Sequence, residues 1–543
     1  MKYCFHATGL TVALLLCSIA NSHFVWVLKS GDKVQVHFSE SIDAPEPELL
    51  KNVAAAHVWA IVPGDHGQTK TTDVELVLAD DSLSGVPDSN ATAIVLAHDY
   101  GIVTKGESTF RLQYLAKQHL SPLPGQWSAI NDGERLPLEI TPAWHGHRLQ
   151  FAVTWNGKPA PGVEVTAGGC GLEETLTTDD QGLVSCEPKT DGLLSVRAKM
   201  VEPTSGQLDG KTFDSVRTYS TLTVPVQLPV LKSARHQLSP LPKGITSFGA
   251  AIVGDDLYVY GGQFGEAHHY SENGQSNELL RLSLTKENAT WELLEGGPRL
   301  TGLALVEHHG KLYRVGGFTA KNGDNQDQSL WSQTSFASYD PTAGTWTELA
   351  PLPEGRSSHD AAVLNGKLYV AGGWNMQGPD NTTWHTTAIV CDLNEPNSAW
   401  TTVPMPAFQR RAVSLAACNG KLYVMGGMQE NGETTTEVAI FDPHANAWTA
   451  GPSLLGTGME GFGSSAFAVG DRLIVTTMSG AVQVLKQDQS DWTCAGLMTE
   501  PRFFHRQLTT TDGRILLVGG ASMKTGKTNT VELMEFINTS KIE

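Results

Sequence analysis

From about residue 249 onward, apolar positions fall into short runs that recur at wide, regular intervals. Leu257-Tyr-Val-Tyr ends in Gly261-Gly262, Leu312-Tyr-Arg-Val in Gly316-Gly317, Leu368-Tyr-Val-Ala in Gly372-Gly373 and Leu422-Tyr-Val-Met in Gly426-Gly427. A further copy, Ile515-Leu-Leu-Val, ends in Gly519-Gly520. The second glycines lie 55, 56, 54 and 93 residues apart, so the last interval holds two units. Leu473-Ile-Val-Thr476-Thr477 is the degenerate copy between them. After each diglycine comes a polar loop and then a strand such as Ala337-Ser-Tyr339-Asp340 or Ala439-Ile-Phe441-Asp442. A tryptophan follows: Trp291, Trp346, Trp400, Trp448 or Trp492. Runs this short predict β-strands, several to a unit. A four-stranded sheet cannot bury both faces alone, so the units are expected to pack radially about an axis.

Six repeats carry only five tryptophans. Arg235-His-Gln-Leu-Ser-Pro-Leu-Pro242 aligns with Trp346-Thr-Glu-Leu-Ala-Pro-Leu-Pro353. The outer strand of the last unit is therefore expected from residues 234–239, with Arg235 at the tryptophan position. Such a clasp leaves no open sheet edge. These motifs closely resemble kelch repeats over about 231–543, and the resemblance implies a six-bladed kelch β-propeller.

Residues 23–226 lack this signal. Alternating runs such as Lys33-Val-Gln-Val-His-Phe38, Thr109-Phe-Arg-Leu-Gln-Tyr114 and Arg148-Leu-Gln-Phe-Ala-Val-Thr154 predict strands, and a helix is expected at 47–56. Pro137 and Pro142 mark an internal boundary. Beyond it, Asn156-Gly-Lys-Pro-Ala-Pro-Gly162-Val-Glu-Val-Thr166 and Thr177-Thr-Asp-Asp-Gln-Gly182 resemble the carboxypeptidase-regulatory-like (Ig-like) β-sandwich. Together, His23-Phe-Val-Trp26, Pro47-Glu-Leu-Leu50, His98-Asp-Tyr-Gly101, Leu136-Pro-Leu-Glu-Ile140 and the Asp209 to Arg217 stretch resemble an uncharacterised periplasmic family associated with nickel and cobalt uptake. The expected fold class is all-β: a two-part sandwich-like module followed by the propeller. The boundaries read 23–140, 141–226, a linker at 227–233 and the propeller at 234–543.

Residues 1–22 carry Lys2, an apolar stretch over 10–19 and the small-x-small Ala20-Asn21-Ser22. This is a secretory pattern cut near Ser22, giving a secreted or periplasmic protein with His23 at its mature N-terminus. No later run is apolar enough to span a membrane. A net charge of −19 argues against nucleic acid as a partner. Five cysteines remain after cleavage, too few for a disulfide framework; Cys170 and Cys186 are spaced to pair or to stay as buried thiols.

Three kinds of chemistry are candidates. An N-terminal histidine offers an amine and an imidazole to copper or nickel, with His98, His145 and His147 as further metal ligands. A basic residue precedes each full diglycine by a similar distance: Lys243, Arg299, Arg356, Arg410 and Arg502, with Glu460 in the degenerate unit. Such a set suits an anionic small molecule, a glycan or an acidic protein surface, or else ties neighbouring blades together. Catalysis is the third. Kelch propellers include copper oxidases and sugar mutarotases, and His359 and His505 are placed for acid–base work. No nucleophile elbow or nucleotide loop is present and no catalytic residue is assigned. The leading expectation is a non-enzymatic binding protein, the alternative an extracytoplasmic enzyme acting on a carbohydrate.

Overall fold

The computed structural model describes residues 23–537, apart from 44, 64–68, 80, 128–134, 146–147, 235–237, 396–398 and 404–408. The signal segment, His147 and Arg235 therefore lie outside the described residues.

The repeats form six four-stranded antiparallel sheets. Their innermost strands are Gly249–Val253, Ala304–His308, Asp360–Leu364, Ser414–Cys418, Ser465–Val469 and Arg506–Thr509. Each touches the next, and the sixth touches the first, so the blades surround a common axis. Both glycines of a full repeat adopt positive φ, for example 61° and 100° at Gly426 and Gly427. A Cβ on Gly426 would lie 2.4 Å from the Gly461 Cα, so glycine is required there. Thr476-Thr477 escapes this demand because the degenerate blade turns back at once, with the Thr477 amide donating to the Ala481 carbonyl.

The repeat tryptophans act between blades. The indole N–H of Trp346 donates to the Glu295 carbonyl, that of Trp400 to Ala350 and that of Trp492 to Pro452, each in the chain leaving the preceding blade. In the sixth blade the outer strand is Leu231–Ser233, paired with Val531–Phe536, rather than residues 234–239. Register puts Ser233 opposite Met534, as Trp346 stands opposite Tyr339, so Ser233 and not Arg235 takes the tryptophan position. The Pro-Leu-Pro anchor is equivalent, because Leu241 and Leu352 make the same backbone bond. Two extra residues before it shift the strand. Leu231 fixes that register by packing on Ile474, Ile515 and Met534.

One further feature closes the ring. Ser247, Gly302, Ser358, Ala412, Gly463 and Phe504, each at the entry to an inner strand, all have positive φ between 52° and 65°. The amide of each donates to the carbonyl of its counterpart in the preceding blade, Ser247 to Phe504 included. A cycle of six backbone hydrogen bonds thus encircles the axis at one mouth.

The front half is all-β as well. An eight-stranded sheet runs from Leu172–Thr177 to Thr69–Asp73 and crosses the Pro137–Pro142 boundary where Ser215–Val226 pairs in parallel with Ser108–His119. Side-chain alternation gives this sheet two cores: Trp59, Ile61 and Val95 face one smaller sheet, Val58, Ala60, Ile94 and Leu96 the other. The expected helix at 47–56 is a short 3-10 turn, Pro47–Asn52, with no side-chain N-cap. In the Thr-x-Asp-x-x-Gly hairpin, Asp179 accepts from the amides of Gln181 and Leu183. Among the described residues, Cys170, Cys186, Cys391, Cys418 and Cys494 are buried and no disulfide joins them.

Candidate functional site

Antiparallel order places the strand entries and the post-diglycine loops at one end of the propeller and short turns at the other. The loops at the first end are built, not loose. Gln275 is buried; its amide donates to Thr301 Oγ1 at 2.8 Å and accepts the Ala320 N–H at 2.7 Å, joining the loops at 263–277 and 318–335. Asp324 accepts from Ser271 at 2.6 Å and Asn273 at 3.0 Å. The hairpins Phe318–Ala320 with Leu330–Ser332 and Trp374–Met376 with Thr382–Trp384 are bridged from Trp331 to Gln377. From the sixth blade, the Lys527 ammonium donates to the Gly265 carbonyl.

The five basic residues of the sequence pattern do not gather at this mouth. Arg356 is 2% exposed and donates to the Gly372 and Thr387 carbonyls; Arg410, equally buried, donates to those of Gly426 and Glu437. Arg502 is sealed against Glu532 at 2.6 Å. Arg356 and Arg410 thus clamp the start of the diglycine to the start of the third strand within a blade, and burial lowers the pKa of both to about 10. Lys243 and Arg299 remain at the rim, beside Glu278 at 3.6 Å and Glu272 at 3.3 Å.

Glu460 stands where other blades carry the arginine, and it does something different. Its buried carboxylate accepts from Thr477 Oγ1, Ser479 Oγ and, at 3.1 Å, from Gln126 Nε2 of the front module. Leu123 packs there against Ala481 and Cys494, and a Cβ on Gly125 would lie 2.3 Å from the Ser479 carbonyl oxygen. The front module therefore docks on the degenerate blade and covers that sector of the loop end.

Two side chains the repeat pattern did not flag dominate the axis and the mouth. Arg506 crosses to Asp360 at 2.8 Å and also donates to the Phe248 and Leu303 carbonyls. Beside the backbone cycle, Arg411 lies over the Trp374 ring at 4.2 Å and near Trp384 at 5.9 Å. Phe462, Phe503 and Phe504 form a second aromatic group, with centroids 5.1 Å apart in each contact. Position rather than repetition would have found Arg411, which directly follows a repeat arginine and precedes the small residue of the cycle.

His359 and His505 are buried, and desolvation, aided by nearby arginines, pushes both well below the usual histidine range. His505 Nε2 shares a 2.7 Å hydrogen bond with Thr476 Oγ1, between neighbouring blades. In the front module, His23 bonds to Glu46 at 3.1 Å and His98 to the Asn52 carbonyl at 3.1 Å. Phe38 and Tyr100 stand between these two histidines, and His145 ends a different strand, Leu138–His145. No group of three or more His, Cys, Asp or Glu suited to a metal occurs among the described residues. Nor, among them, is any helix long and apolar enough to cross a membrane.

Comparison with known proteins agrees with this architecture. The KLHDC2/KLHL20/DRC7 Kelch-repeats domain matches residues 247–480. The chain is similar to zebrafish Kelch repeat and BTB domain-containing protein 12, with 28% identity over 37% of this chain and 33% of that protein. It is also similar to mouse Kelch-like protein 35, with 26% identity over 40% of this chain and 41% of that protein. The chain thus spans less than half the length of these relatives. A solved structure entitled "Structure of YjhT" aligns with 17% identity and a TM-score of 0.46, covering 56% of this chain and 98% of that one. Five diglycine blades and one degenerate blade, the inter-blade tryptophans and the family-model match over residues 247–480 together mark the propeller as built of kelch repeats.

Proposed function

We propose that this is an exported interaction protein whose propeller holds a protein partner on its loop end. The interlocked wall made by the 263–277 and 318–335 loops and the 374–384 hairpin carries the reading. It is a large surface already ordered without a partner, so little conformational entropy is lost on binding. Its edges differ around the ring, because the front module occupies the degenerate blade and leaves the first four blades open. The kelch relatives support an interaction role, and residues 1–22 support export.

A photo-crosslinking residue placed at Trp331, compared with one at Asp471 on the short-turn end, tests the reading. Capture of one defined partner from the extracytoplasmic fraction at Trp331 alone is expected; equal capture at both ends would overturn it. N-terminal sequencing of the exported protein tests cleavage near Ser22. The carbohydrate-enzyme alternative has less support, since His359 and His505 face neighbouring blades rather than a pocket. A copper or nickel ion would have to be held by His23 and its own amine, because His98 and His145 stand apart from it. Metal content of the processed protein, with and without one added N-terminal residue, tests that.

A further inference from the structure

We infer that Arg411 is a carboxylate-binding residue in an aromatic box at the propeller mouth, so that the recognised ligand presents a single carboxylate beside an apolar or ring-shaped body. The inference rests on the reading of the loop end as the recognition face.

The other buried arginines of the propeller are committed. Arg356 and Arg410 hold carbonyls, Arg502 holds Glu532, Arg506 holds Asp360, and Arg314 holds Glu348 at 3.0 Å. Arg411 has no carboxylate partner among the described residues. Among these residues its guanidinium makes a hydrogen bond from Nη2 to the Met428 sulfur at 3.0 Å, a weak acceptor, and its buried Nε finds no partner. The indole N–H of Trp374, whose ring lies under the guanidinium, is also without a partner among the described residues. Trp374 and Trp384 meet edge to face at 5.5 Å and wall the site on one side. The Tyr270 hydroxyl, carried over from the first blade, lies within electrostatic reach of the Arg411 charge.

A cation held this way, half-desolvated and stacked on tryptophan, keeps its fork of donors aligned at little entropic cost. The fork matches a carboxylate in geometry and supplies the counter-charge that the protein omits. Charge count favours one carboxylate over a phosphate. The neighbouring cations are already engaged: Arg299 by Glu272, Lys243 by Glu278, Lys527 by a carbonyl and Lys321 by the Trp331 ring. The carboxylate could belong to an acidic side chain of a protein or to an acidic sugar, and the probes separate the two.

The full chain is titrated with two matched pairs: N-acetylglutamate α-amide against N-acetylglutamine α-amide, and galacturonate against galactose. In at least one pair the acid should bind at least tenfold more tightly than its neutral partner, and that pair names the source. In R411Q the preference should fall below twofold, with R299Q as a rim control that keeps it. The Arg411 guanidinium Nε–Hε resonance of the unmutated chain should move on adding the preferred acid, a readout that needs no variant. Equal binding of acid and neutral partner in both pairs, a preference retained in R411Q, or an unmoved resonance would each overturn the inference. A partner still cross-linked at Trp331 in R411Q, with no acid preference in the unmutated chain, would sink this inference while leaving the interaction reading intact. Acid preference without any face-specific partner would do the reverse.

Discussion

Arg506 and Asp360, in the sixth and third blades, join at 2.8 Å across the axis of the propeller. The same guanidinium reaches the first and second blades through the Phe248 and Leu303 carbonyls, and Asp360 accepts the Leu415 amide of the fourth. One ion pair thus links five of the six blades, and its partners come from segments far apart in sequence.

Removing one member leaves the other charged, buried and short of partners. D360A and R506A are each expected to destabilise the protein by about 3–5 kcal/mol. Replacing both with apolar residues of similar volume should cost less than either single change. Thermal or urea unfolding of the three variants checks this, and additive losses would count against a shared hub.

Glu460 binds the front module to the degenerate blade, and burial raises its pKa despite four hydrogen bonds. A raised carboxyl pKa means that its contribution is fullest at acid pH and declines as pH rises through the folded value. E460Q keeps an acceptor oxygen for these donors and should cost less than E460A. E460A should cost about 1–3 kcal/mol by stranding the donors of Gln126, Thr477 and Ser479. Hydrogen exchange around 121–127 would show the loosening in E460A alone.

The buried histidines run the opposite way. Burial lowers the His385 pKa to about 4, and His359, His505 and His119 move in the same direction. The unfolded chain binds these protons first, so stability should fall as pH drops from about 6.5 toward 4. His385 alone would contribute on the order of 3 kcal/mol to that loss. A flat unfolding free energy across this range would contradict their burial as neutral groups.

Leu231 sets the register of the outer strand in the sixth blade. L231A is expected to cost about 2–5 kcal/mol. It should also raise hydrogen exchange along Val531–Phe536, the strand it covers. Loss confined to the front module would show that the clasp is not what holds the sixth blade.

Much of this architecture could be read from the chain because propeller repeats write the same constraints many times. Two glycines at positive φ and one inter-blade indole recur wherever a blade is built that way. The exceptions were legible as gaps: Thr476-Thr477 marked the short turn, and the absent tryptophan marked the clasp. What repetition could not convey was register across an insertion, which moved the outer strand from 234–239 to Leu231–Ser233. Nor could it separate a cation used inside a blade from one turned to the mouth. Arg410 and Arg411 are adjacent and chemically identical; strand alternation sends the first to carbonyls and the second to tryptophans.

The cycle of entry residues has a consequence for how such a molecule changes over time. Its bonds run entirely through main-chain amides and carbonyls, so its integrity asks only that six residues tolerate a left-handed backbone. Serine, glycine, alanine and even phenylalanine already satisfy that request. The side chains of those six entry residues are thereby released from holding the cycle together. Mutation can explore new mouth chemistries there, one position at a time, without first loosening the barrel of blades beneath.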